Sequence, residues 1–167
     1  MPLNIVRNDI TKMEVDAIVN AANTSLKMGG GVCGAIFNAA GIDALRSVCD
    51  KLAPIKTGEA VITKGFKLPA KYIIHTVGPI YQDGKHGEEQ LLRSAYTNSL
   101  LCAKENNCKS VAFPLISSGS YGYPEQEALE IALNSINDYL SQHDVSVFLV
   151  LYNSDLLKVA LSLGDMR

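Results

Sequence analysis

Two glycine-rich segments hold the residues of this 167-residue chain that are best suited to chemistry. The first begins Asn20-Ala21-Ala22-Asn23 and ends Gly29-Gly30-Gly31-Val32-Cys33-Gly34. Three successive glycines carry a large conformational entropy cost, but they remove every Cβ and let backbone N–H groups approach a bulky ligand. A helix predicted to open at about Val32 adds free N–H groups and the positive end of its dipole at the same place. That combination suits a phosphate or a diphosphate. The second segment, Ser117-Ser118-Gly119-Ser120-Tyr121-Gly122-Tyr123-Pro124, follows a predicted strand. Gly119 and Gly122 allow a sharp turn, and Ser117, Ser118 and Ser120 offer hydroxyls. Facing the first segment, it would supply a second nest of N–H donors and complete an anion clamp. Tyr121 either packs the loop or lies over a sugar.

Gly29, Gly31 and Gly34 also match the G-x-G-x-x-G spacing of dinucleotide-binding loops. The context differs, because that loop follows its strand directly, whereas about nine residues separate Val19 from Gly29 here. Asp50, at about the right distance for the ribose-binding acid, lies in helical sequence. The phosphate reading therefore stands and hydride transfer is set aside. No G-x-x-x-x-G-K-[ST] occurs. Cys33, Cys49, Cys102 and Cys108 form no CxxC pair and have no His at zinc-ligand spacing, so they read as reduced thiols and no metal or cofactor is expected.

Apolar runs must form the scaffold for these loops. Strands are predicted at Leu3–Val6, Ala17–Val19, Glu59–Thr63, Tyr72–Val77, Ser110–Pro114 and Ser146–Leu151. The Tyr72 and Ser146 runs are almost wholly apolar, as strands buried on both faces are. Helices are predicted at Val32–Ala40, Ile42–Leu52, Glu88–Asn106, Glu125–Ser141 and Asp155–Leu163, the last with Ser154 as its cap. Such alternation implies a largely parallel sheet with helices on both faces, binding its ligand at the carboxyl ends of the strands. The chain is read as one domain, residues 1–167, with neither repeat nor linker.

Composition narrows the function further. Apolar residues make up 47% and charged residues 19%, and the formal charge of −2 provides no basic field for a nucleic-acid backbone. The opening Met1–Ile10 lacks a charged region followed by an apolar one, and no apolar run approaches the roughly 18 residues of a membrane span. The expectation is a cytoplasmic protein with no membrane partner.

With both loops considered, the sequence resembles the macrodomain family along its length. The resemblance rests on Asn8-Asp9-Ile10, Val15 to Asn23, Gly29 to Gly34, Leu68 to Pro79 and Phe113 to Tyr123. It is similar to the branch that removes mono-ADP-ribose from acidic side chains and deacetylates O-acetyl-ADP-ribose. The resemblance implies a three-layer α/β/α sandwich with a mixed, largely parallel sheet, and a role for each matching residue. Asp9 would accept a hydrogen bond from the adenine amino group, with the Ile10 backbone beside it; by itself, such an Asp is a turn or helix-cap residue. Gly30, Gly31 and Val32 would contact the phosphates, together with Ser118, Gly119, Ser120, Tyr121 and Gly122. Asn23 would hold the distal ribose, with Asn20 shaping the same loop. Tyr152 either covers the adenine or ends its strand in the core. His75, mid-strand, reads as a satisfied core residue.

Cys33 departs from that branch, which usually has an Asp after Gly-Gly-Gly-Val, and Phe37 stands where a His is often found. A proposed general base is thus missing. Cleavage at the distal ribose can still pass through an oxocarbenium-like state that needs a placed water and stabilised charge, with a substrate phosphate positioning the water. Asn23 and Gly31 would then assist catalysis. Cys33, at a helix N-terminus, would be either a proton acceptor or a small packing residue. Hydrolase and non-catalytic ADP-ribose reader are the two readings carried forward, with ADP-ribosylated proteins or O-acetyl-ADP-ribose as partners.

Overall fold

The computed structural model describes residues 3–152 and 154–165. Six strands form one sheet: β1 (Leu3–Arg7), β2 (Ala17–Ala21), β3 (Ala60–Lys64), β4 (Tyr72–Thr76), β5 (Ser110–Phe113) and β6 (Ser146–Leu151). Their order is β1-β6-β5-β2-β4-β3. Every neighbouring pair is parallel except β3 and β4, which run antiparallel at one edge. The predicted mixed, largely parallel sheet is thus present. The predicted strand positions all carry strands, with ends displaced by a residue or two, the usual scatter at element ends.

Five helices complete the sandwich: α1 (Gly31–Ala40), α2 (Ile42–Leu52), α3 (Glu88–Glu105), α4 (Glu125–Leu140) and α5 (Ser154–Asp165). Ser154, read as a cap, is the first helical residue. Side-chain alternation along the strands divides the core in two. Ala17, Val19, Ile74, Val111 and Leu149 face a cluster with α3, α4 and α5, built on residues such as Leu92, Tyr96, Leu129 and Ile136. Ile18, Ile73, Ala112 and Val150 face the other cluster, with Ile36, Phe37, Leu45 and Cys49 of α1 and α2. In α1 the buried residues Cys33, Gly34, Ile36, Phe37 and Ala40 recur at helical spacing, which turns one stripe of the helix onto the sheet. No single helix among the described residues is long and apolar enough to cross a membrane.

Two local features bear on the sequence reading, the first matching the cap-or-turn alternative for Asp9 and the second departing from the loop reading of Asn20. A single 3-10 turn, Ile10–Lys12, follows β1, and Asp9 caps it by accepting from the Thr11 N–H at 3.0 Å and the Thr11 hydroxyl at 2.7 Å. And β2 extends through Asn20 and Ala21, so Asn20 belongs to the sheet and not to the loop.

Candidate functional site

All five parallel strands end on one side of the molecule, and the segments leaving them enclose a cavity of about 1080 Å³. Arg7–Ile10 line it after β1, Ala21–Asn23 after β2, Gly78 after β4, Pro114–Tyr121 after β5, and Val150–Tyr152 at the end of β6. Gly29–Cys33 and Ala35 add the first turn of α1. The volume lies at the upper end of the roughly 300–1,000 Å³ of ordinary small-molecule sites.

The first glycine segment presents an unsatisfied helix start. Gly30 is the N-cap and makes no side-chain cap bond, so the leading N–H groups of α1 open toward the cavity. Gly31 has φ +55° and has nothing within 4 Å of where a Cβ would stand. Gly34 serves another purpose: a Cβ there would lie 2.6 Å from the Gly29 carbonyl oxygen, so its bareness lets α1 pack against its own entry loop. The third glycine of the dinucleotide-like spacing thus has a packing cause.

The second segment is pinned from behind. Ser117 has φ +68° and its hydroxyl donates to the Pro79 carbonyl at 2.8 Å. The Ser118 hydroxyl donates to the Leu115 carbonyl at 3.1 Å. These two hydroxyls, read from the sequence as ligand donors, are already engaged in holding the loop. Ser118–Tyr121 line the cavity, and their backbone N–H groups meet no protein acceptor among the described residues. Two sets of backbone donors therefore border one space.

At one end of the cavity, Asp9 is the acidic side chain and Arg7 the basic one, the two charged side chains in its lining among the described residues. The Thr11 hydroxyl and N–H hold the Asp9 carboxyl below its ordinary pKa, so at neutral pH it is an ionised acceptor. Tyr152 stands 73% exposed at the lip, which removes the strand-end core reading and leaves an aromatic face free for a base.

At the other end stand Asn23 and Cys33. The Asn23 carbonyl accepts from the Lys27 N–H and the Ser25 hydroxyl, both at 3.0 Å, and its amide donates to the Lys27 carbonyl at 3.0 Å. One Asn23 N–H remains for a ligand. The Cys33 sulfur lies 3.7 Å from the Lys27 carbonyl oxygen and 3.7 Å from Asn20 Nδ2, and the residue is 6% exposed. Asn20 and Gly122, both expected in the site, do not line the cavity. Asn20 is buried in β2 because its position in the strand alternation turns it toward α1. Gly122 closes the turn with an N–H bond to the Gly119 carbonyl, at φ +76°.

Beneath Cys33 lies a buried polar chain that the sequence did not disclose. Asn20 Nδ2 is 3.1 Å from His75 Nδ1, and Thr63 Oγ1 is 3.0 Å from His75 Nε2. His75 is a satisfied core residue, as its mid-strand position suggested.

The comparisons with known proteins decide the family. The sequence model of the Macro domain matches residues 19–132. The chain belongs to the macrodomain family. A macro domain-containing protein of Methanosarcina mazei is 51% identical over 158 residues, covering 93% of this chain and 84% of its own. The O-acetyl-ADP-ribose deacetylase of Salmonella typhimurium is 46% identical, with 92% of this macrodomain and 88% of the relative covered. Among solved structures, the Oceanobacillus iheyensis macrodomain with ADP superposes with a TM-score of 0.93 at 42% identity, covering 98% of this macrodomain and 90% of that chain. The Trypanosoma brucei macrodomain in complex with ADP-ribose gives 0.88 at 37% identity, covering 97% and 68%.

Asp9→Ala is expected to weaken ADP-ribose binding by roughly 1–3 kcal/mol, the scale for losing a charged hydrogen-bond partner. Because Asp9 also caps the 3-10 turn, Asp9→Asn is the companion: it can keep the cap while losing the charge. Calorimetric titration measures both. Unchanged affinity in Asp9→Ala would exclude this residue as the adenine partner.

Proposed function

We propose that this macrodomain binds ADP-ribose and hydrolyses it from acidic side chains, or cleaves the acetyl ester of O-acetyl-ADP-ribose. The observation that carries the reading is that Gly31–Cys33 and Ser118–Tyr121, whose N–H groups meet no protein acceptor among the described residues, border the same cavity of about 1080 Å³. The diphosphate would lie between them, the adenine between Asp9 and Tyr152, and the distal ribose beside Asn23 and Cys33. Relatives bearing the deacetylase name and macrodomains solved with ADP or ADP-ribose support it.

The chemistry follows from what lines the distal end. No carboxylate or histidine is placed there among the described residues, so the protein offers no strong acid for a poor leaving group. A carboxylate leaving group needs none. As the C1″–O bond breaks, its electron pair departs with the carboxylate. A water then bonds to C1″ and yields its proton through a phosphate oxygen of the substrate to solvent. Asn23 would orient the ribose and the N–H groups would stabilise the phosphate charge. This reading favours ester-linked ADP-ribose. A non-catalytic reader is the second reading, and Cys33 in place of Asp is what favours it.

A paired measurement tests both: calorimetric titration with ADP-ribose, and release of ADP-ribose from protein mono-ADP-ribosylated at Glu or Asp. Binding with release is expected. Binding without release would make the protein a reader, and no binding would remove the whole proposal. Cys33→Ala is expected to keep turnover, with a loss well below the roughly 100-fold that a general base supplies. A larger loss with intact affinity would assign the thiol a proton-transfer role.

A further inference from the structure

The loop between β4 and α3 touches no part of the cavity beyond Gly78, yet it is densely hydrogen-bonded around one side chain. At its centre is the Glu88 carboxylate, 2% exposed at the start of α3. Glu88 Oε2 accepts from the N–H groups of Gln82 at 2.9 Å, Asp83 at 3.1 Å and Gly84 at 3.0 Å. Oε1 accepts from the His86 N–H at 2.6 Å. These donors, the Gln82 N–H foremost, hold the carboxyl down to a pKa of about 2, so the charge is permanent at neutral pH. Asp83, His86 and Glu88 lie close enough together to suggest a cation site. Four N–H groups on the Glu88 oxygens, and the Lys85 N–H and His86 ring nitrogen on Asp83 Oδ1, already tie these side chains to the loop itself.

The loop so gathered is fastened to the second glycine segment at three points. The Tyr81 N–H donates to the Tyr121 carbonyl at 2.8 Å, the Ser117 hydroxyl donates to the Pro79 carbonyl at 2.8 Å, and the Tyr81 and Tyr123 rings pack with centroids 4.8 Å apart. The approach is close enough that a Cβ on Gly78 would lie 2.2 Å from the Ser117 hydroxyl oxygen. The N–H groups of Ser118–Tyr121 meet no protein acceptor among the described residues, so these three contacts supplement the bonds that the segment makes within itself and to Leu115.

We infer that Glu88 is a positioning residue for ligand binding: its carboxylate organises the β4–α3 loop, and that loop holds the second glycine segment in the shape that receives the diphosphate. The inference rests on the ADP-ribose reading. Its consequence is reciprocal, because if the loop supports the ligand-binding segment, ligand must in turn stabilise the loop.

The test uses the whole chain. Glu88→Gln is titrated with ADP-ribose, ADP and adenosine, the last followed by the amide resonances of Asp9 and Ile10. The expected result is that ADP-ribose and ADP bind about tenfold more weakly while adenosine is unaffected. Equal weakening of all three would show a general loss of fold and overturn the inference, as would unchanged affinity for all. Should Glu88→Gln fail to fold, the wild-type protein decides. ADP-ribose should then slow hydrogen exchange at the Gln82, Gly84 and His86 amides, which do not border the cavity. Exchange unaltered by ligand would overturn it. Failure of wild-type protein to bind ADP-ribose would instead remove the proposed function on which the inference rests.

Discussion

Gly31→Glu is expected to lower ADP-ribose affinity by at least about 100-fold, equivalent to about 3 kcal/mol. Two features of the first segment set this magnitude. The position has φ +55° and open space where a Cβ would point, so a glutamate would be strained in backbone and would extend into the space the ligand needs. Its carboxylate would also reach the free N–H groups of the first turn of α1, which attract any anion. It would then occupy the site of the diphosphate and repel it, much as Glu88 satisfies the donors of its own loop. A thermal melt run beside the calorimetric titration separates loss of the site from loss of the fold. Affinity retained within about tenfold of wild type would mean that the diphosphate binds elsewhere.

The second large effect concerns stability and pH. His75 is 1% exposed, and burial lowers its pKa from 6.5 to about 4. The hydrogen bonds are satisfied by the neutral ring, with Nδ1 accepting from Asn20 and Nε2–H donating to Thr63, whose hydroxyl donates to the Lys64 carbonyl at 3.2 Å. Between pH 6.5 and 4 the unfolded chain binds a proton at this residue and the folded protein does not. Unfolding is therefore favoured progressively as pH falls through that window, by about 3 kcal/mol in all, with no further loss from this group below pH 4. Urea denaturation at pH 7 and pH 4 measures it. His75→Asn should reduce the difference between the two pH values by that amount, whatever its effect on stability at pH 7. Parallel curves for the two proteins would refute the assignment.

Much of this molecule is legible in its sequence because the signals are local. Tyr72–Val77 and Ser146–Leu151 read as buried strands since an apolar run of that length has few other uses, and the glycines at 29–31 announce a backbone-donor site by the absence of side chains. The macrodomain resemblance pointed to Asp9, Asn23 and Tyr152, which line the cavity. What escaped depends on partners that a side chain's type does not name, some distant in sequence and some within the same loop. Ser117 looked like a ligand donor, because a hydroxyl does not reveal where it donates until Pro79 is brought beside it, and Ser118 turns its hydroxyl back to Leu115 within the same loop. Asn20 looked like part of a loop, because strand ends are set by pairing with β4 and not by propensity. Glu88 read only as the first residue of a predicted helix. Gly84 and Gly87 nearby, both at positive φ, mark the turn that folds four amides around it, but neither signal names its target.

The bare flank of the cavity also has a use in design. Gly30 and Gly119, unlike Gly31, adopt backbone angles open to any residue, and nothing lies within 4 Å of a Cβ at either. Side chains of increasing bulk can therefore be added at these two positions, one on each glycine segment, without disturbing the scaffold. The pair works as a caliper across the cleft, converting side-chain volume into a graded measure of how closely the guest fills it.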